Sequence, residues 1–270
     1  MNTFDNQHVK VSIIMGVYNA EKTICQAIDS ILNQTYQNWV FIICDDGSSD
    51  DTHNILKKYK KKYPKRFMIL KNANNKGLSY SLNSCLRKAS SEYVARMDAD
   101  DISLPDRLKN QVEFLDSNPQ YGFVGTAIER FDESGIWGKS VIKDSAPSKE
   151  TFYWSSGFVH PTVLMRKKML DNVGGYRDKW YTQRCEDYDL WMRLYAKGYK
   201  GYILKKILFQ YYEGKESYQK RSYKYRICEA VVRAKGYASL GMYPKGIIFV
   251  FKPLAVGLLP ACIIKGFHNQ

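Results

Sequence analysis

The apolar positions of the first hundred residues alternate between two periods. Residues 11–17 and 40–44 are unbroken apolar runs of buried-strand length, and 67–70 and 93–97 are further short ones. Between them, residues 21–32, 51–63 and 77–89 place apolar side chains at helical spacing, with Pro64 as a stop after the second. Strands alternating with helices of this length predict right-handed βαβ units and a parallel sheet. A further helix opens at Leu104-Pro105-Asp106 and runs to about 116. Residues 122–128 and 158–165 read as strands, and 132–157, rich in Gly, Ser and Lys, as loops. Residues 185–197 form an amphipathic helix pattern, with Leu190, Trp191 and Leu194 apolar and Gly198 as its C-terminal cap. After Tyr199 the character changes. Residues 215–235 set seven Lys and Arg among tyrosines, and 247–264 is almost wholly apolar, broken by Lys252, Pro253 and Pro260.

Composition narrows the classes. A chain of 270 residues with 44% hydrophobic content can build one sizeable core plus an appendage, which excludes collagen-like, disordered and disulfide-scaffold readings. The six cysteines are dispersed and form no CxxC pair, so structural zinc is not expected and a reducing compartment is. The opening MNTFDNQHVK carries no apolar core of a secretory signal. The net charge of +14 is lopsided. Residues 1–135 hold 17 basic and 17 acidic residues, whereas 193–270 hold 15 and 3. A neutral front and a basic tail predict two jobs rather than a uniform polyanion-binding surface.

In a parallel sheet, ligands bind at the carboxyl ends of the strands. Three chemically dense segments fall there. Asp98-Ala99-Asp100-Asp101 puts three carboxylates in four residues, a density that suits a hard cation such as Mg²⁺ or Mn²⁺. Capping of the next helix is the competing role, but it requires one acid and not three, and Asp101 or Ser103 could fill it. Asp45-Asp46-Gly47-Ser48-Ser49-Asp50 combines a tight turn with carboxylates able to accept a base N–H or a ribose hydroxyl, and Ser49 or Asp50 can also start a helix. Tyr18-Asn19 follows the first strand. Farther on, Glu186, Asp187 and Asp189 crowd one first helical turn. Acids there satisfy the helix dipole, and one of them could equally serve as a general base.

The whole series resembles family 2 glycosyltransferases. The pieces are Val11-Ser12-Ile13-Ile14-Met15-Gly16-Val17-Tyr18-Asn19-Ala20-Glu21, Asp45-Asp46-Gly47-Ser48-Ser49-Asp50, Asn75-Lys76-Gly77-Leu78 with Asn83, and Arg96-Met97-Asp98-Ala99-Asp100-Asp101. His160-Pro161 with Arg166, Gly174-Gly175-Tyr176 and Glu186-Asp187-Tyr188-Asp189-Leu190-Trp191 follow in the family's order, so that residues 9–210 are covered. Gly16 departs from the family's usual proline. The resemblance implies an α/β, GT-A type, Rossmann-like nucleotide-sugar-binding domain with a mainly parallel central sheet over residues 1–212. Its nucleotide-binding half would be 9–100 and its acceptor-binding half 101–212, with a helical C-terminal extension over 213–270. By the same resemblance Val17, Tyr18, Glu21, Asp46, Arg96, Asp98 and Asp100 would bind the donor, with Asp46 on the base, Asp98 near the ribose and Asp100 on a divalent metal, Mn²⁺ or Mg²⁺. Asp187 would be the catalytic base. His160, Arg166, Glu186 and Trp191 would lie toward the acceptor or diphosphate. The implied reaction is inverting transfer from a nucleotide-diphosphate sugar, UDP-linked in most of the family, to a glycan or lipid-linked acceptor of a surface polysaccharide. A nucleotidyltransferase or a non-catalytic sugar-nucleotide-binding protein is the alternative.

The tail lies beyond the shared motifs. Two prolines and Lys252 argue against a simple spanning helix in 247–264 and favour an interfacial anchor, with Lys and Arg meeting anionic lipid. A helical hairpin packed on the catalytic domain is the competing role. The expected location is cytoplasmic, peripheral on the inner face of the membrane. No zinc-finger spacing or RNP-like aromatic motif supports a nucleic-acid partner.

Overall fold

The computed structural model describes residues 9–214 and 222–258, so Lys215, Lys220, Arg221 and the 259–264 end of the apolar run lie outside the described residues. The chain divides into two units. The first comprises residues 9–147, 158–176 and 199–214, and the second 148–157, 177–198 and 222–258.

The first unit is built on the predicted βαβ repeats. Strand β1 (Val11–Val17) pairs in parallel with β2 (Trp39–Asp45) on one side and β4 (Tyr93–Arg96) on the other, and β2 pairs in parallel with β3 (Phe67–Lys71). Helices α1 (Ile24–Leu32), α2 (Thr52–Lys62) and α3 (Leu78–Leu86) connect them. Helix α1 buries Ile24, Ala27, Ile28 and Ile31, the i, i+3, i+4, i+7 stripe of a helix lying on a sheet. The core joins them to Ile13, Met15, Phe41, Ile43 and Phe67, alternate residues of one sheet face. Gly16 sits inside β1. A Cβ there would meet Leu78 Cδ1 and Ser81 Cβ at 3.1 Å, so the missing side chain lets α3 lie close against the strand.

After β4 come β5 (Ile102–Ser103), α4 (Arg107–Ser117), β6 (Phe123–Asp132), β7 (Gly135–Lys139), β8 (Leu164–Arg166), α5 (Lys167–Asn172) and, after the excursion into the second unit, β9 (Gly201–Tyr212). Among the described residues the sheet order is β3-β2-β1-β4-β8-β6-β9-β5, with β7 on β6. Strand β8 runs antiparallel to both β4 and β6, while β6 and β9 are parallel, so the sheet is mainly parallel.

Three local expectations change. The run at 158–165 is not one strand: a short 3₁₀ turn, His160–Thr162, precedes β8. Pro161 has no N–H for a ladder and breaks the run. Part of the loop-like 132–157 segment folds back as a β-hairpin, because Gly135 adopts φ +116° and Asp132 accepts the Ser134 N–H at 2.8 Å. Strand β9 has no counterpart in the hydrophobic pattern. Lys205 and Lys206 interrupt its period, and they sit exposed where the β6–β9 register slips.

The second unit is helical. It holds α6 (Glu186–Ala196), α7 (Tyr223–Ser239), α8 (Gly246–Gly257) and the 3₁₀ turns Lys149–Tyr153 and Trp180–Thr182. Gly236 on α7 faces Met192 on α6 so closely that a Cβ would lie 2.1 Å from its sulfur. Arg233, Tyr237 and Tyr188 all direct polar atoms at the Phe152 carbonyl. Among the described residues no helix is long and apolar enough to cross a membrane.

Candidate active site

Three loops meet at the carboxyl ends of β1, β2 and β3. The first two clasp each other. Asn19, at φ +50°, donates its N–H to Ser48 Oγ and accepts the Ser49 N–H. Ala20 N–H meets Thr52 Oγ1 at 2.8 Å, Asp50 accepts from the Glu21 N–H, and Glu21 accepts from the Asp51 N–H at 2.9 Å. Thus Glu21 and Asp50 shape the loop, and Asp50, one of the two expected helix starters, also accepts the N–H of Thr52, the first residue of α2, at 3.1 Å. Behind it, Asp45 is fully buried and faces His53 Nδ1 at 2.9 Å. Val17 is buried, and Tyr18 stands half exposed at the mouth of these loops.

Asp46 is the hinge of the third loop. Its Oδ1 accepts from Asn72 Nδ2 at 2.6 Å and the Lys76 N–H at 2.9 Å, and its Oδ2 from the Gly77 N–H at 2.8 Å. A carboxylate offers about four acceptor positions, so room for one further donor remains. Gly47, at φ +76°, lets the third loop approach. A Cβ there would lie 2.8 Å from the Asn74 backbone.

The acid cluster follows β4. Ligand oxygens of Asp98, Asp100 and Asp101 all lie within 4.8 Å of one another. Asp101 does not cap α4; its Oδ1 accepts the Tyr212 N–H at 2.8 Å, and its buried Oδ2 has no hydrogen-bond partner among the described residues. Burial pushes its carboxyl well above the usual carboxylate range, and the charges of Asp98 and Asp100 push it further. Arg96, buried, pairs with Asp98. Burial works against its charge, but Asp98 outweighs this and holds the guanidinium above its ordinary value. Below the cluster, buried Arg107 donates to the Arg96 carbonyl at 2.8 Å and lies over the Phe209 ring. Three hard oxygen donors converging with one orphaned buried oxygen fit a divalent cation.

The β6–β7 hairpin is close by in the sheet. Phe131 pairs with Tyr212, the residue bonded to Asp101, and Ile136 pairs with Phe131. At about 4.8 Å per strand, the Ile136 backbone is roughly 10 Å from that of Tyr212. Ile136 and Trp137 point into solvent, 54% and 42% exposed.

The remaining motif residues separate. Asn83 clamps Tyr176, donating to its carbonyl at 2.7 Å and accepting its N–H at 2.9 Å. The Tyr176 hydroxyl meets His160 Nε2 at 2.8 Å, so buried His160 belongs to a packed chain of polar contacts in the first unit. Burial, then the nearby Arg96 charge, lowers its pKa well below that of a free histidine. Arg166 corrects an expectation. It pairs with Tyr93 at the amino end of β4 and donates to the carbonyls of Tyr121 and Leu115. Asp98 follows the far end of the four-residue β4, five residues on from Tyr93 and roughly 16 Å away if extended, so Arg166 is a strut at the end of β4 opposite the acid cluster.

In the second unit the first turn of α6 sorts its acids. Asp189 is buried between Arg177 at 2.7 Å and Arg193 at 2.6 Å, a structural pair. Glu186 and Asp187 are partly exposed. Trp191 is fully buried, which makes it a packing residue and not an acceptor contact.

The model of "Glycosyl transferase family 2" matches residues 12–174, which hold both the Asp46 turn and the acid cluster. The chain belongs to glycosyl transferase family 2. A Bacillus subtilis relative, named "Putative glycosyltransferase EpsE", is 38% identical over 265 residues, 98% of this chain and 95% of the relative. The Escherichia coli enzyme WfaP, named a UDP-Glc:alpha-D-GlcNAc-diphosphoundecaprenol beta-1,3-glucosyltransferase, is 32% identical over 196 residues, 70% of this chain and 72% of WfaP. The Staphylococcus aureus TarS structure with UDP-GlcNAc superposes with a TM-score of 0.69 at 21% identity, over 88% of this chain and 72% of that one, and shares the GT-A fold. The protein is therefore a glycosyltransferase with a mainly parallel α/β core and C-terminal helices.

Several groups of the site take a place that the sequence pattern leaves open or does not show. Asp101 joins the acid cluster through β9, and Asn72 and the Lys76 and Gly77 amides hold Asp46. For Asp101 the signal was there, a third acid in the same run. Backbone amides leave no trace in a sequence.

Proposed function

We propose that the protein moves a sugar, hexosyl or N-acetylhexosaminyl, from a nucleotide-diphosphate donor, UDP-linked, to a hydroxyl of a glycan or lipid-linked acceptor in surface polysaccharide biosynthesis, with inversion. The observation that carries this reading is the convergence of the Asp46 loops and the Asp98-Asp100-Asp101 cluster at the carboxyl ends of one parallel sheet. WfaP, whose name gives a UDP-glucose donor and a lipid-diphosphate acceptor, supports both substrate classes.

In this reading Val17 and Tyr18 line the base pocket, and Asp46 uses its remaining acceptor position for a base N–H. Glu21 keeps the clasp that shapes the pocket. Asp98, oriented by Arg96, faces the ribose. Asp100, with Asp98 and Asp101, would hold Mn²⁺ or Mg²⁺, whose Lewis acidity offsets charge on the nucleoside diphosphate as it leaves. Asp187 takes the proton of the acceptor hydroxyl while that oxygen forms its bond to the anomeric carbon, and the bond to the diphosphate oxygen breaks with its electron pair. An α-linked donor then yields a β-glycoside. Glu186 lies toward the acceptor beside Asp187. The exposed Ile136 and Trp137 of the β6–β7 hairpin offer an apolar platform for the acceptor. The protein works at the cytoplasmic face of the membrane, peripherally attached to an anionic surface where a lipid-linked acceptor is presented.

A screen of nucleotide sugars for UDP or GDP release, followed by mass spectrometry with lipid-linked acceptors, tests the reading. Free nucleoside diphosphate plus a glycoside is expected. Pyrophosphate as product would establish the nucleotidyltransferase alternative, and no turnover at all the non-catalytic one. By calorimetry, Asp100→Ala abolishes the Mn²⁺-dependent part of donor binding; binding that needs no metal in the wild type sinks that assignment.

A further inference from the structure

Helix α8 carries its polarity the wrong way round for a surface helix. Ile247, Ile248, Phe251, Ala255 and Leu258 recur at three- and four-residue intervals and share one face. That face is the exposed one: Ile248 and Leu258 are each 76% exposed, Phe251 59% and Ile247 51%. The opposite face is already occupied. Gly246 and Pro253 are buried, and the Phe249 ring lies 4.5 Å from that of Tyr153 and 5.0 Å from that of Trp154. The helix is thus anchored within its unit on one side while presenting a contiguous apolar stripe on the other. Stripes of this kind mark interaction surfaces.

The charges around the stripe choose among partners. Residues 222–258 contain six Lys and Arg and a single acid, Glu229, which Arg233 engages at 2.9 Å. Lys224, Lys235 and Lys245 are exposed, and Lys245 immediately precedes α8. Lys252 reaches from the flank of the helix to the Trp154 carbonyl at 3.1 Å and lies over its ring, and the indole is 66% exposed. Apolar side chains edged by lysines and an exposed tryptophan match the layered chemistry of a bilayer surface: acyl chains, headgroup level, anionic charge. A helix of 12 residues spans about 18 Å, well short of a hydrocarbon core of about 30 Å.

We propose that the outer face of α8 is the docking face for an anionic lipid surface, the helix lying in the plane of the interface with Ile247, Ile248, Phe251 and Leu258 inserted and Lys245 and Lys252 at headgroup level. This rests on the reading that the enzyme works at a membrane and names the element responsible. It is independent of the donor chemistry.

The test is flotation of the full-length chain with vesicles of phosphatidylcholine and phosphatidylglycerol at 3:1, against phosphatidylcholine alone. The wild type floats with the anionic vesicles, and the bound fraction falls as salt is raised. Ile248→Glu and Phe251→Glu, both on the exposed face, each weaken vesicle affinity at least tenfold with an unchanged circular dichroism spectrum. Lys245→Glu weakens it severalfold at low salt only. Donor-dependent UDP release, read without vesicles, is the same in all four proteins, which separates failure of the docking face from failure of the glycosyltransferase reading. Wild-type indifference to anionic vesicles overturns the proposal, whether a second copy or residues 259–270 occupy the stripe instead; light scattering identifies the second copy. Equal binding by the two glutamate variants overturns it as well.

Discussion

Asp46 shows how much one carboxylate can carry. It accepts three hydrogen bonds from the Asn72–Gly77 segment while almost wholly buried. Asp46→Asn keeps the shape but replaces one acceptor with a donor, which faces either the Lys76 N–H and Asn72 Nδ2 or the Gly77 N–H, the last then left with only Asn75 Oδ1 at 3.1 Å. A cost of about 1–3 kcal/mol in denaturant unfolding is expected, together with weaker donor binding by calorimetry. Wild-type stability in this variant would show that the clamp does not matter. Asp187 makes the contrasting case. Asp189, two residues on, is buried between two arginines, whereas Asp187 in the same helical turn is partly exposed. Asp187→Asn is expected to lower turnover by about 10²–10⁴-fold, the usual contribution of a general base, with donor affinity unchanged. Turnover within a few-fold of wild type would remove Asp187 from the mechanism.

At the scale of elements, the site depends on loops that can approach closely because one residue lacks a side chain. Gly47 combines φ +76° with backbone 2.8 Å from where its Cβ would be, whereas Gly174, at φ +71°, has nothing within 4 Å. Gly47→Ala must both adopt a left-handed conformation and push the third loop away. It is expected to cost about 1–3 kcal/mol and to weaken donor binding. Gly174→Ala meets only the conformational part and loses less in thermal unfolding. Equal losses in the two would show that the loop contact is not tight. The strands and helices of residues 11–96 were legible in the sequence to within a few residues, since each buries a continuous run or a regular stripe. Strand β9 was not. Its place depends on pairing with β6, eighty residues earlier, and its period is interrupted by two bulged lysines.

For the whole molecule, the buried His160 gives a pH dependence of stability. Its pKa in the fold lies well below its ordinary 6.5, because burial, and then Arg96, disfavour the charged ring. Below about pH 6.5 the unfolded chain takes up a proton at His160 that the folded chain does not, so stability falls as pH drops through that range. Thermal unfolding from pH 7.5 to 5 should show this loss, and His160→Asn should flatten that part of the profile. An identical profile in the variant would assign the loss to other groups.

The sequence by itself determined the catalytic class, through the ordered motifs by which it resembles family 2 glycosyltransferases, and the layout that carries them. Apolar runs and stripes made a βαβ series, and the acids fell at the ends of its strands, because a parallel sheet places successive strand ends along one edge. It also showed a charge imbalance between front and tail. Tertiary structure decided which acids lie together and which are locked in ion pairs. Asp101 moved from capping to the acid cluster because β9 supplies its amide partner, and Arg166 moved away because its strand runs antiparallel. The apolar tail, too, acquired a direction. Only packing of Phe249 and Pro253 against the second unit leaves Ile248 and Phe251 facing outward.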